Sequence, residues 1–432
     1  MTGTVDKTGA FKTYHGPEFR VSARYAFTED FSVKAGFNTM RQNIHKLSNT
    51  TIMSPTDTWK LSDANIKPQT GMQVAAGLYR NFLNNTIEVS LEGYYKTMKD
   101  YLDYRNGAEL LMNHHIETDV LRTEGRAYGV ELMVKKTQGK LNGWVSYTYS
   151  RTQLRQNDPM IVTPVNKGDW YAADFDKPHD LKFVGNYKFT HRFSFSLNCD
   201  YSTGRPITLP VSKYHYGGGE FVYYSDRNQY RIPDFFRMDA SFNIEPSHHL
   251  TLLTHSTISF GVYNLTGRKN AYSVYYISEN GKLKGYKMAI FGVPIPFVSY
   301  NINLGGVEMR KEAKIKDSIK GFHWWLGALL LLLSACVTDY EPKGLEQVRD
   351  LLVVDGIITN GETTIKLRRS VGLTDDFTED EFVNNAKVVV EREDGAVFTC
   401  ANSFGKGEYK VDMGELDPGT VPATYLAGWA GV

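Results

Sequence analysis

The chain has 432 residues, enough for more than one folded unit, and its formal net charge of +1 offers no electrostatic reason to bind nucleic acid. Aromatic residues reach 13%, with 27 Tyr and 23 Phe, while overall hydropathy stays on the polar side. A soluble globule hides its aromatics in a core and needs fewer Tyr. A membrane barrel spends them on outward-facing positions and interface girdles.

After Met1 the sequence is polar and Gly-rich, with no signal peptide. An exported barrel needs such a signal, so the start of the protein is expected to lie upstream. From there, period-two alternation dominates. In Phe193–Tyr201 the odd positions are Phe193, Phe195, Leu197, Cys199 and Tyr201, and the even ones Ser194, Ser196, Asn198 and Asp200. A strand turns successive side chains to opposite faces, so this segment has one apolar and one polar face. The same pattern occurs in Phe31–Asn38, Thr86–Glu92, Trp144–Ser150, Arg237–Ile244 and Val298–Leu304. About ten alternating residues suffice for a tilted strand to cross a bilayer.

The connections separate a barrel from a soluble sandwich. Short breaks fall at Thr28–Asp30, Asn81–Asn85, Thr137–Lys140, Thr190–Arg192 and Glu245–His249. Between them lie long polar stretches over 41–68, 105–123, 152–177, 203–234 and 266–293. Strict alternation of short turns and long loops is the habit of outer-membrane barrels, with the loops extracellular. The pattern predicts about eleven strands over residues 1–304. Because first and last strands of such barrels must pair antiparallel, an odd count predicts an incomplete sheet.

Several stretches resemble one family when read in order. They are Asp57-Thr58-Trp59 with Asn65-Ile66-Lys67-Pro68-Gln69, Arg126–Leu132, Gly143–Arg151, Asp176–Leu181, Gly204-Arg205-Pro206, Arg237-Met238-Asp239, Val262–Leu265 and Arg268–Tyr272. Together they resemble the barrel of TonB-dependent receptors from one Gram-negative phylum, over about residues 10–304. Complete members have about 22 strands around a plug, so this region would be half of one. The resemblance implies energy-coupled uptake of a scarce nutrient, such as a metal chelate, oligosaccharide or peptide, in the cell outer membrane. It implies as partners the outer-membrane lipid, a plug and N-terminal barrel half not contained in this sequence, and the TonB system acting through that N-terminal region. Members end on their last strand, whereas here 128 residues follow Leu304.

Those residues read as a second protein. Met309 is followed by the basic Arg310, Lys311, Lys314, Lys316 and Lys320, then by an apolar run through Trp324-Trp325 and Leu329–Leu333, ending Ser334-Ala335-Cys336. A charged start, a short apolar middle and small residues before the cut describe a secretory signal. The run is too short for a transmembrane helix, which needs about 20 residues. Leu333-Ser334-Ala335-Cys336 also resembles the lipobox, which makes Cys336 the lipidation candidate. The expected division is barrel over 1–304, linker and signal helix over 305–335, and a small β-rich, sandwich-like fragment over 336–432. Strand-like segments near Leu351–Ile358, Thr363–Arg369 and Lys387–Glu393 resemble the start of a lipoprotein family of unknown function whose genes adjoin such receptors. A surface lipoprotein is therefore a candidate partner, and two adjacent genes read as one chain is the simplest origin.

The sequence carries no zinc-protease helix motif, nucleophile elbow, phosphate loop or paired-cysteine site, so no catalytic, cofactor-binding or metal residues are assigned and no enzyme is expected. Its three cysteines, Cys199, Cys336 and Cys400, have no metal or redox spacing. His248-His249 fall in a short turn, and neighbours on a strand point to opposite faces, so such a pair does not simply chelate one ion. Gly217-Gly218-Gly219 fits a flexible loop tip. The substrate-loop candidates are His114 and His115 in a long loop, Tyr223 and Tyr224 with rings suited to sugar stacking or to an interface girdle, and Arg227 and Arg231, suited to an anionic ligand, lipopolysaccharide or neither. Two functions remain open at this stage. One is part of a nutrient receptor joined to the start of a lipoprotein, and the other is a non-transport surface adhesin or scaffold with a lipid-anchored domain.

Overall fold

A computed structural model of the chain describes residues 12–47, 58–105, 113, 116–157, 161, 163–245, 256–279, 282–290, 292–302, 336–342, 350–391, 395–402, 405–415 and 426–427. The expected signal helix, Met309, Leu304, His114, His115 and His248-His249 lie outside the described residues. The chain separates into two compact units. One comprises 1–207, 226–274 and 287–338, and the other 208–225, 275–286 and 339–432.

The first unit is built on a single antiparallel sheet. Eleven strands follow one another in chain order: Arg20–Ala26, Phe31–Gln42, Gln69–Phe82, Ile87–Tyr104, Val120–Lys136, Leu141–Arg155, His179–Lys188, Phe193–Ser202, Phe235–Ile244, Ser256–Tyr263 and Ile295–Ile302. A two-residue strand, Tyr171–Ala172, adds to Leu141–Arg155 off this path. The all-β, incomplete-barrel expectation therefore holds: among the described residues the two end strands each have one neighbour and do not pair with each other.

Register shows why this order is stable. Tyr25, Val33, Leu78, Leu91, Leu132, Tyr147, Leu181, Tyr201 and Phe236 are successive cross-strand partners, one from each of nine strands. One residue along, Arg24, Lys34, Gly77, Glu92, Glu131, Thr148, Asp180 and Ser202 form the matching row on the opposite face. A slip of one residue in any pairing would mix the two rows, so the pattern itself fixes the register. In the first row Tyr25, Leu78, Leu91, Leu132, Tyr147 and Leu181 are all exposed. A continuous exposed apolar belt of that extent is an aggregation hazard in water and an asset against lipid.

Turn chemistry supports the short connections. Leu83, Asn84 and Asn85 all have positive φ (50°, 53° and 63°), and Asn81 Nδ2 donates to Asn85 Oδ1 at 2.8 Å. Asn is among the few non-glycine residues that enter this region readily. Phe31 N and Phe193 N are held by Thr28 Oγ1 and Thr190 Oγ1 in the equivalent tight turns. Aromatic residues gather here: Tyr187, Phe189, Phe193 and Phe242 form a chain of ring contacts at 5.0, 6.2 and 6.2 Å. At the other end of the strands His179 lies 6.2 and 5.4 Å from the rings of Tyr147 and Tyr149. The first of these groups, beside the short turns, suits an aromatic girdle of a membrane barrel.

The long connections are not plain loops. The 41–68 and 203–234 stretches contain the hairpins Ile44–Leu47 with Thr58–Leu61, and Pro210–Tyr216 with Gly219–Tyr224. Ala271–Glu279 and Lys282–Ala289 neighbour each other in a further small sheet. These extensions hydrogen-bond their backbones locally and need no apolar face, so alternation does not announce them.

In the second unit, Leu352–Ile357, Glu362–Arg369, Glu408–Asp412 and Ala401–Asn402 form a four-stranded sheet, and Val397–Thr399, Val389–Glu391 and Leu426–Ala427 a three-stranded one. Ile365, Leu367 and Tyr409 of the first sheet share one buried cluster with Val390 of the second and with Val388, Cys400 and Met413. Two small sheets around one core make the β-rich, sandwich-like fragment expected after Cys336.

Candidate functional site

Within the first unit the strand ends and long connections converge on two buried polar networks. A register shift between Met98 and Tyr101, with Asp100 at φ 55°, re-aims the end of the Ile87–Tyr104 strand. Asp103 there is buried and accepts from Arg227 Nη1 at 2.9 Å and from the Tyr171 hydroxyl. Arg227 spends its other donors nearby. Its Nη2 donates to the Tyr104 carbonyl at 2.9 Å, and its guanidinium carbon lies 4.3 Å from the Tyr104 ring centroid. Asn166 and Arg227 bracket each other: Arg227 N donates to Asn166 Oδ1 at 2.7 Å, and Asn166 Nδ2 donates to Arg227 O at 3.0 Å. Next along, Asn228 Nδ2 donates to Ala172 O and to Asp174 Oδ1 at 2.8 and 2.7 Å. Burial pushes the Asp174 carboxyl above its ordinary value, against the opposing pull of that Asn228 hydrogen bond.

Asp176 centres the second network. Its side chain is fully buried, and Oδ1 accepts from Thr152 N at 2.6 Å. Its Oδ2 lies 3.3 Å from Arg151 Nε and also accepts from Arg231 Nη2. Arg231 Nη1 reaches the carbonyls of Asp176 and Gly204 at 2.8 and 2.9 Å. Close approach explains Gly204: a Cβ there would sit 1.7 Å from Ile232 O. A buried carboxylate with two guanidinium partners and a backbone donor is a well-satisfied ionic group, and it fastens three separate stretches of chain together.

The predicted site residues divide accordingly. Arg227 and Arg231 come together with acidic partners that the sequence reading did not single out as site residues, Asp103 and Asp176, and brace the long connections. Tyr223 and Tyr224 sit on the Gly219–Tyr224 strand of the second unit with exposed rings. His114 and His115 fall outside the described residues. Cys336 opens the short strand Cys336–Asp339. One arrangement escaped sequence reading altogether: the Trp170 ring centroid lies 4.2 Å from the Arg126 guanidinium carbon and 4.8 Å from that of Arg155. Among the described residues no cluster of His, Cys, Asp and Glu has metal-site geometry. Chemically, the networks hold charge in fixed pairs.

An open antiparallel sheet of successive strands, with an exposed apolar belt on one face and a charged row on the other, is the wall of an outer-membrane barrel. Residues 2–265 match the family model "TonB dependent receptor-like, beta-barrel", and the chain belongs to that family, whose members are outer-membrane proteins. Residues 337–421 match a second family, "Domain of unknown function (DUF4249)". No curated protein matches the chain. Among solved structures it is similar to the ferric-catecholate import receptor Fiu from E. coli K12, at 13% identity and a TM-score of 0.38, over 58% of this chain and 31% of that one. It is also similar to FpvA of P. aeruginosa bound to pyoverdines, at 13% identity and a TM-score of 0.37, over 60% and 29% of the two chains. The chain thus spans under a third of the length of these solved proteins.

Proposed function

We propose that the first unit is the C-terminal part of a TonB-dependent receptor for energy-coupled nutrient uptake across the outer membrane. The apolar belt registered across nine strands carries this reading, because an apolar face suits lipid and the charged row behind it suits a lumen. The family match over residues 2–265 supports it. An open sheet edge in hydrocarbon leaves backbone groups unpaired at several kcal/mol each, so transport needs a further barrel half and plug to close the wall. In this reading, contact with TonB is made through that further region. In this reading the buried Asp103–Arg227 pair and the half-buried Asp176–Arg231 pair keep the loops in a fixed arrangement, and substrate is met by exposed side chains such as Tyr223 and Tyr224.

Residues 309–336 act in this proposal as the signal of a lipoprotein whose mature N-terminus is lipidated Cys336, encoded beside the receptor. Fatty-acid labelling of the native locus tests this part: the label is expected on a product beginning at Cys336 and lost in Cys336→Ala. For uptake, deletion of the locus is expected to slow growth in at least one of three limited media (iron, oligosaccharide or peptide), with the same defect in a strain lacking TonB. Normal growth in all three, coupled with altered surface adhesion, would replace transport with the scaffold reading.

A further inference from the structure

The second unit is not made from the 339–432 module alone. It also contains 208–225 and 275–286, two segments that project from long connections of the receptor sheet. At the first, Lys213 and Val371 exchange both backbone hydrogen bonds, Lys213 N to Val371 O at 3.0 Å and Val371 N to Lys213 O at 2.9 Å. That reciprocal pair is one rung of an antiparallel ladder, an isolated bridge between the hairpin edge and the module. Side chains reinforce it. The Phe377 ring lies 3.8 Å from the His215 ring, and Lys213 Nζ lies 4.9 Å from the Phe377 centroid. Gly217 N, at the hairpin tip, donates to Asp355 Oδ2 at 2.9 Å.

The second segment makes the same kind of contact. Leu283 N donates to Leu373 O at 3.1 Å, Tyr340 N donates to Gly285 O at 2.8 Å, and Lys282 Nζ lies 3.3 Å from Asp376 Oδ2. Charge is sorted across the surface. The second segment contributes Lys282 opposite the module's Asp376, and the module's Glu381 Oε2 lies 3.5 Å from His215 Nδ1. Lys213 is itself 3% exposed. Burying a lysine is costly unless it is paired, and Glu220 at 3.7 Å and the Phe377 face meet that need.

We propose that the 208–225 and 275–286 segments of the receptor are a docking surface for the DUF4249 module at 339–432, which they hold by strand addition at Val371, by the Phe377 anchor and by complementary charge. The proposal rests on the receptor reading above and adds to it the partner of two of its loops. Complementary potentials favour this partner over others, and main-chain pairing supplies affinity that tolerates side-chain change. A module held this way stays bound without a polypeptide joining it to the barrel.

Two measurements on the receptor and the module, made together in the same cells, decide it. Zero-length carbodiimide coupling of the unsubstituted proteins is expected to yield a Lys282–Asp376 amide, found by peptide mass spectrometry. The receptor is then extracted in detergent and isolated through an affinity tag. The module, a separate product beginning at Cys336, is expected to co-elute with the barrel, and to elute separately in Lys213→Glu/Phe377→Ala. Absence of the amide, or separate elution of the unsubstituted module, overturns the docking. Recovery of the barrel outside the outer-membrane fraction instead overturns the receptor reading, while the amide still reports on docking.

Discussion

Arg227 Nη1 donates to Asp103 Oδ1 at 2.9 Å across 124 residues of sequence, and both side chains are more than nine-tenths buried. The pair joins the far end of the Ile87–Tyr104 strand to the connection that follows Ser202. Three more ties, from Tyr171, Asn166 and Asn228, bring the 156–178 connection to the same place. Long barrel loops ordinarily lie at the unstable end of a protein's range of local stabilities. Here they are fastened by charge.

Removing one partner should therefore cost far more than removing a surface charge. Arg227→Met leaves Asp103 buried without its cation, a loss of about 3–5 kcal/mol by the precedent of broken buried pairs. Limited proteolysis of the intact receptor should show faster cleavage within 156–178 and 203–234, with Asp103→Asn/Arg227→Met recovering part of the protection. Unchanged cleavage in Arg227→Met would return Arg227 to the group of ligand candidates.

The apolar belt makes a position-specific prediction. Leu132 is exposed and lies between Leu91 and Tyr147 in the belt, while its neighbour Glu131 lies in the charged row. Leu132→Arg should destabilise the barrel by about 2–4 kcal/mol if its row crosses the bilayer midplane. Thr148→Arg, on the charged face, should cost little. Urea titrations of the receptor refolded into lipid vesicles measure both, and equal costs would mean that the belt does not face lipid.

Asp174 gives a pH dependence with a definite sign. Burial raises its carboxyl pKa above the ordinary 3.8. A group whose folded pKa lies above its unfolded one contributes stability that is whole below the unfolded value and lost as pH rises through the folded value. Asp174→Asn keeps an acceptor for Asn228 and removes the ionisation. Its melting temperature should match that of the parent below about pH 4 and exceed it increasingly at higher pH. A difference independent of pH would show that the raised pKa does not matter for folding.

The sequence by itself determined the wall. Strict alternation in segments such as Phe193–Tyr201 fixes which residues share a face, and the short breaks fix where each strand turns back, because both are local properties of a pleated chain. It also yielded the β-rich segments after Cys336, for the same reason. Strand length was less legible: Ile87–Tyr104 runs 18 residues although alternation was clear only to Glu92. Beyond the stretch that faces lipid, neither face need be apolar, so the signal fades while the hydrogen-bond ladder continues. Only the tertiary structure decided the rest. It paired the substrate-loop candidates Arg227 and Arg231 with Asp103 and Asp176, and it set the 208–225 and 275–286 segments in one unit with the 339–432 module. Charge pairing and strand addition depend on distance in space, and residues a hundred or more positions apart carry no local pattern that announces it.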